Sequence, residues 1–155
     1  MQAFIARVGV VVALLLVPVG CGGGGSSSSQ TANFKTGFSS AVNQLKQTSM
    51  AIGTAIEHAT SQTDAQIAFT FNDLAGRWQT GVSKLETLKP PSNVSVTFNT
   101  LTAAATRAET DLNAIVVAAK THSATAAEQA SAALVTDVAN AKAASATLTN
   151  KLGIK

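Results

Sequence analysis

From about residue 33 onward, apolar side chains recur every three or four positions, the period of one α-helical face. The pattern falls into four stretches. In the first, Phe38, Leu45, Ile52 and Ala59 stand seven apart, with Phe34, Val42 and Ile56 on the same stripe. In the second, Ile67, Leu74, Gly81 and Leu88 form one row and Phe71, Trp78 and Leu85 the adjacent one. The third sets Val94, Leu101, Ala108 and Ile115 beside Phe98, Ala105, Leu112 and Ala119. The fourth sets Ala127, Leu134, Ala141 and Leu148 beside Ser131, Val138, Ser145 and Leu152. These rows predict helices over about 33–61, 64–88, 94–121 and 126–152.

The breaks carry their own signals. Thr63 with Gln66, and Thr125 with Glu128, have capping-box spacing: the threonine oxygen accepts from a free amide of the first turn, and the Gln or Glu reaches back. Pro90 and Pro91 must end the second helix, because proline lacks the amide and disfavours helical geometry in the residue before it. All three connections are short, and short connections between long helices imply antiparallel neighbours. The expected fold is all-α: an up-down-up-down four-helix bundle over 33–155, its seven-residue period implying left-handed, coiled-coil-like packing. Gly53, Gly76 and Gly81 cost helix stability relative to alanine, so each is expected to have a packing reason, with Gly81 making room near Trp78.

Composition changes this picture little. Charged residues make up 12% of the chain, and the 11 Lys and Arg are scattered singly among 8 Asp and Glu. Nucleic-acid binding calls for a clustered basic face, so it is not expected. The one cysteine rules out an internal disulfide, and the fold must hold without a staple.

That cysteine, Cys21, stands at the junction of two unlike segments. Before it lie Arg7 and an apolar run from Val8 to Val19, too short to span a bilayer, which takes about 20 residues. After it lie Gly22 to Gly25 and Ser26 to Ser29, low-complexity sequence expected to form a flexible leash. The order resembles the signal sequence of bacterial lipoproteins, although the third residue before the cysteine is Pro18, where that pattern usually has leucine. The resemblance implies a signal peptide over 1–20, lipidation of Cys21 and a tether over 21–32. It implies an exported protein, lipid-anchored to the cell membrane and facing the extracytoplasmic side. The body resembles, more loosely, small helical lipoproteins of high-GC bacteria in which Leu-x-x-Leu-x-Pro-Pro joins two bundle helices; here Leu85, Leu88, Pro90 and Pro91 supply that spacing. This second resemblance implies architecture and no particular activity.

Candidate chemistry is sparse. There is no Cys-x-x-Cys-His for haem, no paired Glu-x-x-His for a di-metal centre, and no Lys-Ser/Thr after the glycine run for phosphate. No cofactor is expected, and serines without a spaced base give no reason to expect an enzyme. His58 and His122 end the first and third helices, which this topology puts at one pole of the bundle. With Glu57, Asp64 and Glu128 nearby in sequence, they are the candidates for a minor metal site, against the simpler reading of two exposed loop histidines. The functional expectation is a membrane-tethered binding or scaffolding module of the cell envelope, partnered by an envelope protein or wall component. The alternative is a small-ligand sensor or carrier, favoured by an internal pocket.

Overall fold

A computed structural model describes residues 26–154. The expected signal peptide, Cys21 and the glycine run lie outside the described residues. Four helices pack against one another: α1 (Ser26–His58, followed by a 3-10 turn over Ala59–Ser61), α2 (Asp64–Glu86), α3 (Ser95–Lys120) and α4 (Ala124–Leu152). No strand occurs among the described residues, and none of their helices is long and apolar enough to cross a membrane.

The elements follow the expected stripes, and their ends show where local chemistry prevailed. α1 begins at Ser26, so residues 26–31 are helical where the sequence reads as leash. Once the amphipathic stretch from Phe34 has formed a helix, each residue added toward the N-terminus gains a backbone bond at little further cost. Ser26 to Thr31 contain neither glycine nor proline to stop it. At α2 the capping box forms as expected: Thr63 Oγ1 accepts from the Gln66 amide at 3.3 Å, and Gln66 Oε1 accepts from the Thr63 amide at 2.9 Å. α2 ends at Glu86, two residues short of Leu88, where a continued helix would drive the Pro90 ring into the Glu86 carbonyl.

The second capping box does not form. α4 starts at Ala124, after Ser123, whose side chain makes no capping bond, so Thr125 already lies inside the first turn. The reason is the preceding turn. His122 takes a left-handed conformation (φ 53°), the Ser123 amide donates to the Ala118 carbonyl at 2.9 Å, and the His122 amide donates to the Ala119 carbonyl at 3.2 Å. This is the Schellman closure, with histidine where glycine is usual. α4 ends the same way on Gly153 (φ 62°), and Ile154 folds back onto the core.

The buried core runs from Phe34 to Leu152. Near its N-terminal edge Phe34 stacks on Phe38, with ring centroids 5.9 Å apart, and meets Phe98 edge-on at 5.5 Å. At its centre the buried Trp78 Nε1 donates to the Ala105 carbonyl at 2.8 Å, which ties α2 to α3 and leaves the indole no unsatisfied donor. Gly81 has a packing reason, but its neighbour is not a ring: a methyl group there would stand 2.6 Å from Leu45 Cδ2 and 2.8 Å from Leu45 Cγ. Gly53 and Gly76 have none, since a methyl group on either meets open space. Packing is uneven around the helices. α3 and α4 lie against each other along their length through small side chains, whereas α1 and α4 touch at few points.

Candidate functional site

The sparse contact between α1 and α4 leaves a groove of about 270 Å³. Its walls are built alike. α1 presents Val42, Leu45, Lys46 and Ser49, and α4 presents Val138, Ala141, Lys142 and Ser145, the same 0, +3, +4, +7 spacing of apolar, apolar, lysine and serine on both helices. That spacing keeps four side chains on one helical face, with the lysines toward solvent and the apolar pair toward the core. Trp78 of α2 and Leu101 of α3, each 1% exposed, close the bottom, and Met50 stands at one edge.

Electrostatically the groove is one-sided. Lys46 and Lys142 are both exposed, no carboxylate lines it, and no ion pair among the described residues uses either ammonium. The chemistry offered is an apolar slot with two cations and two hydroxyls at its rim. Sequence reading took Leu45, Trp78, Leu101, Val138 and Ala141 as plain core and singled out neither lysine. The repeated Val-x-x-Leu/Ala-Lys-x-x-Ser spacing was the available signal.

The histidines end up with different neighbours. His122 Nδ1 pairs with Asp64 Oδ2 at 2.5 Å, joining the turn after α3 to the start of α2. The pair is open to water, with side chains 78% and 49% exposed. His58 is exposed at the end of α1 and lines another depression, with Phe69, Asp73 and Arg77. No group of three or more His, Cys, Asp or Glu among the described residues is arranged to hold a metal ion. Glu57 and Glu128 are exposed.

A second polar cluster lies between α3 and α4. Arg107 Nε donates to Asp137 Oδ1 at 3.0 Å, and the Asp137 side chain is only 15% exposed. Asp111, one turn beyond Arg107, has a buried Oδ2 without a partner. Burial pushes the Asp111 carboxyl above the ordinary range, Asp137 pushes the same way, and Arg107 opposes them. Burial, and then the Glu86 charge, likewise raises Glu109. The Arg107–Asp137 pair fastens α3 to α4, and Arg107 and Glu86 also line an open depression with Leu88, Pro90 and Phe98. Comparison with protein-family models, curated proteins and solved structures finds no match.

Proposed function

We propose that this chain is an extracytoplasmic binding module of the cell envelope, held to the membrane by lipid on Cys21, that takes a small ligand between α1 and α4 and acts by binding rather than catalysis. The observation carrying this reading is the open α1–α4 seam, an apolar slot reaching down to Trp78. It favours the carrier alternative over recognition of a protein through a broad apolar face. The large apolar side chains most exposed to water, Met50, Phe69, Val96, Val117 and Val135, are spread over all four helices.

In this reading the helices run up, down, up and down with left-handed packing. Paired residue numbers support the antiparallel course, because partners on antiparallel neighbours keep a nearly constant sum. Between α1 and α2, Gly37 faces Leu88 and Leu45 faces Gly81. Between α3 and α4, Arg107 meets Asp137 and Lys151 Nζ donates to Thr97 Oγ1 at 3.1 Å. Trp78 with Ala105, and Asp64 with His122, do the same for α2 and α3.

The tether rests on the residues around Cys21. More than one acyl chain makes membrane attachment stable, at about 0.8 kcal/mol per buried methylene. Cells fed an alkyne fatty acid should label the chain, and Cys21→Ser should abolish both the label and its retention in the membrane fraction. Equal labelling of the two would remove lipid anchoring at Cys21 from the account.

A further inference from the structure

Resting on the reading of the α1–α4 seam as a ligand site, we infer that its occupant is a single-chain amphiphile with a carboxylate head, of the fatty-acid class. Each part of the occupant answers a part of the groove. The slot between Leu45, Val138 and Trp78 is apolar, so a hydrocarbon chain gains by leaving water there, and a polar molecule would lose its hydration without replacement. Lys46 and Lys142 stand on opposite walls, at the same place in the shared spacing, with no carboxylate in the lining. Two unneutralised ammonium groups above an apolar slot are complementary to one anion on one tail, and they disfavour a cationic head by like-charge repulsion. Ser49 and Ser145 add hydroxyls beside them, suited to the second oxygen of a carboxylate.

Size selects against larger lipids. At about 270 Å³ the groove falls just below the usual range of ligand pockets, about 300 to 1,000 Å³. It admits one chain and leaves no room for the second tail of a phospholipid. The positively charged rim keeps the head at the mouth while the tail points toward Trp78, so exchange needs no opening of the other three helix seams.

The test uses the full chain in lipid nanodiscs and four photoreactive diazirine probes: a medium-chain carboxylic acid, its alcohol, its primary amine, and a phospholipid built into the disc. Peptide mapping should place the acid on the segments carrying Met50, Trp78 and Val138. Acid labelling there should exceed amine labelling about tenfold, and the Lys46→Gln, Lys142→Gln double variant should lower it to the level of the alcohol. Both lysines are exposed, so the variant keeps its fold, which circular dichroism would verify. Groove labelling equal for acid, alcohol and amine, and unchanged by the double variant, overturns the carboxylate assignment while leaving a ligand site. Groove labelling by the phospholipid alone overturns the single-chain assignment. No groove labelling by any probe overturns the ligand site as well.

Discussion

Gly53 and Gly81 are the same residue in helix interiors, yet alanine should have opposite effects at the two positions. At Gly53, and at Gly76, a methyl group meets open space, so Gly53→Ala and Gly76→Ala should each raise stability by about 1 kcal/mol through helix propensity. At Gly81 the methyl group collides with the body of Leu45, not only its tip, and Gly81→Ala should cost about 1 to 3 kcal/mol. Urea denaturation of the three variants checks both signs. Helical spacing shows that a glycine lies inside a helix, but whether a neighbour fills the space depends on how the helices dock, which is why Leu45 could not be read beforehand. Asp111 shows a similar limit. Its folded-state carboxyl titrates above the ordinary value of about 4, so the folded chain holds this proton more tightly than the unfolded chain. The stability this contributes is lost as pH rises from about 4 through the raised folded value. Asp111→Asn should therefore match the parent in acid and exceed it at neutral pH, as measured by thermal unfolding across that range.

At the scale of elements, most of what formed was already legible. Every residue of the two rows assigned to α3 is buried. The two proline-bearing and threonine-bearing boundaries of α2 also fell within a turn of their expected places, because proline sterics and a capping box act locally. The end that was misread, at Thr125, depended on a turn whose left-handed residue is His122 and not the glycine that usually announces it. The start of α1 was obscured because a run of serines reads as leash until an adjoining helix extends into it. Thr63→Ala should accordingly cost about 1 kcal/mol by removing a formed cap. Thr125→Ala should be neutral or slightly stabilising, since alanine is the better residue inside a helix. Equal losses for the two would restore the second capping box.

Over the whole molecule, the stripes tell which side of each helix turns inward, but not how tightly each pair of neighbours closes. Short connections hold α1 to α2, α2 to α3 and α3 to α4, whereas no connection draws α1 to α4. The small Ala141 and the β-branched Val42 and Val138 leave that last seam unfilled. The candidate site therefore arises from closure of the bundle and not from any motif, and the two histidines that chemistry singled out in the sequence lie apart from it. The central claim is that this open seam holds a ligand. Native mass spectrometry of the full chain extracted from its own membranes, beside a Ser145→Phe variant that fills the groove, tests it most directly. The account predicts a discrete added mass on the parent that leaves on unfolding and is absent from the variant, with helical content unchanged. A bare parent, or an added mass that Ser145→Phe leaves untouched, would contradict it.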